Sequence, residues 1–103
     1  MNNSEKLQGS SEIATQDFKK SIAASIAVAF DRTSTEPFNI DNMVADIHAE
    51  FGHLSVNEVM KAIRNGSLGA YGRTYKLCTQ EVCVWIRAYL SSPTTFNPAN
   101  LNL

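Results

Sequence analysis

The chain has few of the residues that build a fold held together by disulfides or metal ions. Its 103 residues include two cysteines, two histidines and three prolines. Cys78 and Cys83 lie five positions apart in a predicted helix, so they fall on different faces and cannot easily pair. We expect free thiols, as in a reducing compartment. Together with His48 and His53 they match no zinc-binding spacing, and no metal site is predicted.

Long apolar runs and targeting signals are also missing. No segment approaches the roughly 20 apolar residues that span a bilayer. The opening twelve residues lack the basic segment and apolar core of a signal peptide, so we expect a cytoplasmic protein with no membrane partner. With 44% apolar and 18% charged residues, the composition is that of an ordinary folded chain, and the length predicts one domain.

Catalytic and cofactor-binding signatures are absent too. Ser67 follows a glycine, but the nucleophile elbow needs its first glycine two positions before the serine, where Asn65 stands. Gly66, Gly69 and Gly72 form G-x-x-G-x-x-G, which is neither the dinucleotide pattern nor a P-loop, and no predicted strand precedes them. We therefore predict no catalytic residue, no cofactor, no small-molecule substrate and no enzymatic activity.

What the sequence does contain is four apolar stripes at helical spacing. They predict a single all-α domain of about four helices over residues 10–92, between a flexible N-terminal tail of residues 1–9 and a C-terminal tail of residues 93–103. The stripes are, in chain order, Phe18, Ile22, Ile26, Ala29 and Phe30; Ile40, Met43, Val44, Ile47 and Phe51; Val56, Val59, Met60 and Ile63; and Val82, Trp85, Ile86, Tyr89 and Leu90.

Capping residues predict where the first two helices begin and end. Ser10 or Ser11 suits the first N-cap, and the residues before Pro37 end that helix. Asn39 suits the second N-cap, with Phe38 packing on the helix as a hydrophobic staple.

The later helix ends are predicted in the same way. Gly52 is expected to end the second helix with positive φ. Ser55 and Glu58 form an S-x-x-E capping box at the start of the third. Asn65-Gly66 ends the third helix, and Thr79 begins the fourth.

The second and third helices resemble a helix-turn-helix, because a short turn containing glycine joins them. The third helix would then read DNA, with Asn57, Lys61 and Arg64 facing outward. Asparagine suits adenine edges, and arginine suits guanine edges or phosphates. Against this, His48 occupies a position that a small residue usually fills, and any antiparallel helix pair can have such a turn.

Charge is unevenly divided between the two halves. Residues 1–60 hold four basic and nine acidic residues, whereas residues 61–103 hold five basic and one acidic. The basic half predicts an anionic partner, DNA or RNA. The alternative is that the charges of a small protein are unevenly distributed by chance. The candidate nucleic-acid-binding residues are Asn57, Lys61, Arg64, Arg73, Lys76 and Arg87. The hypothesis requires at least four of the five cations to share one surface.

Two further segments have alternative interpretations. The stretch from Leu77 to Arg87 is similar to the recognition helix of a winged or excisionase-type domain, but its apolar spacing favours a core helix. The loop Gly66–Leu77 is expected to be ordered, with Tyr71 and Tyr75 packed on Trp85. Trp85 is expected to be buried against this loop and the third helix.

Three segments together resemble a known family. They are LSVNEV from Leu54 to Val59, RNGSLGAYG from Arg64 to Gly72, and WIRAY from Trp85 to Tyr89. The family comprises uncharacterised small helical proteins of Bacteroides-type bacteria, their phages and mobile elements, and the resemblance covers about residues 40–90. It implies a replication or gene-control role and supplies no catalytic residues.

The sequence thus predicts a small, non-catalytic nucleic-acid-binding or replication and regulation accessory protein. The alternative is a protein–protein adaptor, in which the stripe of the first helix pairs with a second copy of the chain.

Overall fold

Four helices make up the part of the chain that the structure describes. The structure is a computed structural model, and it describes the backbone of residues 3–91 and the side chains of residues 12–91. The helices are α1 (Asn3–Arg32), α2 (Ile40–Phe51), α3 (Val56–Ser67) and α4 (Thr79–Ser91). No strand occurs among the described residues, so the all-α prediction is confirmed. The predicted C-terminal tail, 93–103, lies outside them.

The helices enclose one core. α1 and α4 each pack against both α2 and α3. The short turn between α2 and α3 is present, but these two helices make their main contacts with α1 and α4 rather than with each other. The chain therefore has the connection of a helix-turn-helix without the close packing of its two helices.

The predicted stripes form this core, with one exception. The buried members are Phe18, Ile22, Ile26, Ala29, Phe30, Met43, Val44, Ile47, Phe51, Val59, Ile63, Val82, Trp85, Ile86 and Tyr89. Ile40, Val56 and Met60 are partly buried against them. Leu90 is instead 47% exposed. The α1 stripe, which offered a surface for a second copy, closes the core of its own chain.

α1 begins earlier than predicted. It starts at Asn3 rather than after a cap at Ser10 or Ser11, so the predicted N-terminal tail is helical from residue 3. The preceding run Glu-Lys-Leu-Gln consists of good helix formers, and one interior glycine costs only about 1 kcal/mol. Gly9 and the two serines are therefore accommodated inside the helix.

α1 ends in a Schellman motif. Ser34 has φ of 54°, and its N–H donates to the carbonyl of Asp31 at 3.1 Å. The N–H of Thr35 donates to the carbonyl of Phe30 at 2.9 Å. This pair of bonds satisfies the last carbonyls of the helix. The predicted end is confirmed, but it is made by these bonds, upstream of Pro37.

α2 begins directly after Asn39, as predicted, but the predicted staple by Phe38 and the predicted positive φ of Gly52 are wrong. Asn39 lies in the left-handed region at φ 54° and its side chain makes no cap hydrogen bond, so the chain enters α2 with Phe38 78% exposed and no staple forms. Gly52 has φ of −64°. Position 52 requires glycine for a steric reason, because a Cβ there would overlap the backbone carbonyl of His48.

α3 begins at the predicted position by another means. Ser55 makes no side-chain cap hydrogen bond, and the side chain of Glu58 does not turn back to it. Glu58 accepts a hydrogen bond from the Tyr89 hydroxyl of α4 and pairs with Lys61 at 3.7 Å. A contact between helices thus replaces the local capping box.

The hydrogen bond from Tyr89 of α4 to Glu58 of α3 leads us to expect that stability depends on pH. Tyr89 has its ring in the core and its hydroxyl on half-exposed Glu58. This hydrogen bond, reinforced by burial and by the negative charge of Glu58, raises the pKa of Tyr89 to about 12 from its ordinary value of 10.0. The folded state favours the protonated phenol, so the contribution to stability is complete below pH about 10 and is lost as the pH rises from about 10 to about 12.

An ultraviolet titration checks this pKa. The difference between the titrations of the wild-type protein and Tyr89→Phe isolates the Tyr89 phenol. In Glu58→Gln, which removes the negative charge, we expect the pKa to fall toward 10. A wild-type pKa near 10 would show that the bond is not made in solution.

Candidate nucleic-acid interface

A groove between α1 and α3 contains half of the predicted site. It encloses about 420 Å³, and its walls include Val28 and Arg32 of α1 and Asn57, Met60, Lys61 and Arg64 of α3. We call it the helix groove. The three predicted residues of α3 share one wall, as their spacing requires.

Arg32 is a cation that the sequence analysis missed. Its Nη1 donates to Ser67 Oγ at 3.0 Å, and Ser67 Oγ donates to the carbonyl of Arg64 at 2.8 Å. The guanidinium therefore lies at the C-terminal turn of α3, where the helix dipole favours positive charge. Only tertiary packing brings the end of α1 to this point.

The loop that follows α3 starts from a close helix contact. The indole of Trp85 is fully buried and lies directly against the backbone at Gly66, where a Cβ would overlap the ring. Glycine is needed because α4 places its largest side chain on α3 at this position. The prediction that Trp85 is buried against α3 is confirmed.

Gly69 ends α3 and turns the chain into the loop. It has φ of 93°, and its N–H donates to the carbonyl of Gly66 at 3.1 Å. The N–H of Ala70 donates to the carbonyl of Asn65 at 3.0 Å. These bonds form a second Schellman motif, here with the glycine that such a position favours. The helix therefore ends after Ser67, slightly later than predicted.

A chain of hydroxyl groups fixes the far end of the loop. Thr33 Oγ1 donates to the carbonyl of Ala29 at 2.8 Å and lies 2.9 Å from Thr35 Oγ1. Thr35 Oγ1 in turn accepts from the N–H of buried Leu77 at 3.2 Å. The loop is thereby tied to the C-terminal cap of α1, and the prediction of an ordered loop is confirmed.

The loop borders a second groove, which we call the loop groove. It encloses about 480 Å³, and Arg32, Ser67, Gly69, Arg73 and Tyr75 contribute to its walls. Because Arg32 lines both grooves, they adjoin. We use the name basic surface for Arg32, Lys61, Arg64 and Arg73 together.

The two tyrosines of the loop differ in burial. Tyr71 is partly buried against the core, and Asn65 Nδ2 donates to its hydroxyl at 3.4 Å. Tyr75 was predicted to pack on Trp85, but it is 81% exposed, and the guanidinium of Arg73 lies 5.1 Å from its ring centre. The positive φ of 111° at Gly72 redirects the chain between them.

The remaining predicted cations lie elsewhere. Lys76 is exposed but lines neither groove. Arg87 pairs with Glu50 of α2 at 3.5 Å, and its guanidinium lies 5.6 Å from the ring centre of Phe51. Three of the five predicted cations therefore line the grooves, fewer than the hypothesis required. Arg32 supplies a fourth cation.

Negative charge is sparse at this surface. Among the described residues, no carboxylate lines either groove. Lys61 itself pairs with Glu58 at 3.7 Å, and both side chains are about half-exposed, so water screens their interaction. Glu58 offsets part of the positive charge at Lys61, and Glu81 lies beside the loop groove, where its Oε1 accepts a hydrogen bond from Thr74 at 3.3 Å.

Other kinds of site find little support in the described residues. No three of their His, Cys, Asp and Glu side chains lie close enough together to hold a metal ion. None of their helices has the length and apolar character that a membrane crossing requires. Cys78 and Cys83 are free thiols, and burial raises the pKa of the Cys83 thiol.

Comparison with known proteins adds no relative: no protein-family model, curated protein or solved structure matches the chain. The resemblance to the Bacteroides-type family stays a prediction.

Truncating the indole should destabilise the whole fold. We expect Trp85→Ala to lower the free energy of unfolding by about 3–5 kcal/mol, as large aromatic truncations in cores do. Urea denaturation measures this loss. Trp85→Phe should cost less, because the buried Nε1 that it removes has no hydrogen-bond partner in the described part of the chain. A loss below about 1 kcal/mol for the alanine variant would contradict the packing.

Adding one methyl group at Gly66 should also destabilise the protein. Replacing a glycine in a helix interior by alanine usually raises the free energy of unfolding by up to about 1 kcal/mol. Here we expect Gly66→Ala to lower the free energy of unfolding by about 1–3 kcal/mol, because the added methyl group overpacks against Trp85. A double-mutant cycle with Trp85→Leu should recover much of the loss, whereas a stabilising Gly66→Ala would show that the contact is loose.

Proposed function

We propose that this protein binds nucleic acid through the basic surface and has no catalytic role. One observation carries the proposal: four cations from three separate segments line two adjoining grooves, and no carboxylate among the described residues shares those walls. Phosphate groups are the anions that such a row of lysine and arginine side chains suits best, since backbone phosphates supply most of the affinity of nucleic-acid binding.

The chemistry of the walls supports the same conclusion. Arginine can donate two parallel hydrogen bonds to a phosphate, and three of the four cations are arginines. Asn57 lies in the same wall as Lys61 and Arg64, and its amide can both donate to and accept from a base edge.

The biological setting rests on the resemblance alone. It extends the proposal to a replication or gene-control accessory protein of a phage or mobile element. The alternative, an adaptor built on the α1 stripe, loses its surface because Phe18 and Ile22 are buried within the chain.

Fluorescence anisotropy with labelled DNA and RNA tests the proposal. Four phosphate contacts predict a slope of log K against log salt of about −3.6 for duplex DNA and about −2.8 for a single strand. Arg73→Gln and Lys61→Gln should each weaken binding to every probe and reduce the slope by about 0.7 to 0.9.

Arg87→Gln is the matched control. It removes the same charge from α4, where Arg87 lines neither groove, and should leave affinity almost unchanged. If the protein binds none of duplex DNA, single-stranded DNA and RNA at low salt, the proposal fails. It also fails if Arg87→Gln weakens binding as much as Arg73→Gln.

A further inference from the structure

We infer that the basic surface takes single-stranded nucleic acid in preference to duplex, with one base stacked on Tyr75. This inference rests on the proposed function and adds the form of the ligand. Three features support it: the shape of the helix groove, the exposure of Tyr75 and the anchoring of the loop around it.

The helix groove has the wrong shape for a duplex. A recognition helix must protrude, because it fills a major groove about 12 Å wide with its own diameter of about 10–12 Å. On α3 the side chains of Asn57, Lys61 and Arg64 instead form one wall of a groove whose other wall is α1. Packed helices lie about 8–10 Å apart, so α1 would meet the DNA backbone before α3 reached the bases.

A single strand fits the same space. Each groove encloses a volume in the range of small-molecule sites, which suits one or two nucleotides rather than a double helix. Since Arg32 lines both grooves, a flexible backbone can follow Lys61 and Arg64 into the helix groove, pass Arg32 and continue to Arg73.

Tyr75 supplies a surface for a base at the end of this path. Its ring is 81% exposed and is not used by the core. The guanidinium of Arg73 lies over the ring, so charge for a phosphate and a stacking surface stand side by side. Stacking of a base on an aromatic ring contributes about 1–3 kcal/mol, and only an unpaired base can present its face.

Hydrogen bonds anchor the loop close to Tyr75 on both sides. On one side, Thr74 Oγ1 donates to Glu81 Oε1 at 3.3 Å. On the other, the N–H of Leu77 donates to Thr35 Oγ1 at 3.2 Å. Because the residues flanking Tyr75 are tied to α4 and to the cap of α1, stacking a base requires little further ordering of the loop.

Anisotropy with three probes of equal length tests the inference. The probes are single-stranded oligo-dT and oligo-U of about 15 nucleotides, within the range of known single-strand site sizes, and a duplex DNA of mixed sequence. We expect either single strand to bind more tightly than the duplex. The ratio between oligo-dT and oligo-U tells whether DNA or RNA is the better ligand.

Variants at Tyr75 separate stacking from charge. Tyr75→Ala should weaken single-strand binding about 5- to 150-fold and leave the salt slope unchanged, because no phosphate contact is lost. Tyr75→Phe keeps the ring and should bind within about twofold of wild type. Phe38→Ala is the matched control: it removes another exposed aromatic ring, 78% exposed, and should have no effect.

Each outcome decides between the two proposals. If the duplex binds as tightly as the single strands, or if Tyr75→Ala matches wild type, the inference is wrong while nucleic-acid binding stands. If none of the three probes binds, nucleic-acid binding itself is wrong. An equal effect of Phe38→Ala would place the base elsewhere and also overturn the inference.

Discussion

The contact between Trp85 and Gly66 is the constraint on which the rest of the structure depends. The largest side chain of α4 lies on the one residue of α3 that has no side chain. This contact fixes how closely the two helices approach, and α3 ends directly after it, at Ser67. Gly69 and the loop follow from that position, and so does the loop groove.

Periodicity made the core predictable, and local spacing made half of the interface predictable. Lys61 and Arg64 lie three residues apart, so any helix places them on one face. Arg32 gave no such signal, because its position beside Ser67 depends on how α1 packs on α3. Arg87 lies away from the grooves and beside Glu50 because of how α4 packs on α2, and the exposure of Tyr75 depends on the path of the loop. Tertiary geometry decides these cases, and a single sequence does not encode it locally.

The capping residues show how tertiary contacts replace local rules. Ser55 and Glu58 have the spacing of a capping box, yet Glu58 accepts a hydrogen bond from Tyr89 instead. Glu58 therefore links two helices where it was expected to cap one. The helix still starts where the pattern predicts, because the carbonyl of Ser55 accepts the first backbone bonds and the apolar stripe of α3 is buried.

The hydroxyl chain from Thr33 to Leu77 has a consequence for the order in which the protein folds. It joins residues 42 positions apart, and such distant contacts form late because the entropy of closing the intervening chain must first be overcome. Until this bond forms, the loop between α3 and α4 is not tied to the cap of α1. The loop groove, which Arg32 and the loop line together, is therefore complete only when two distant parts of the chain have come together.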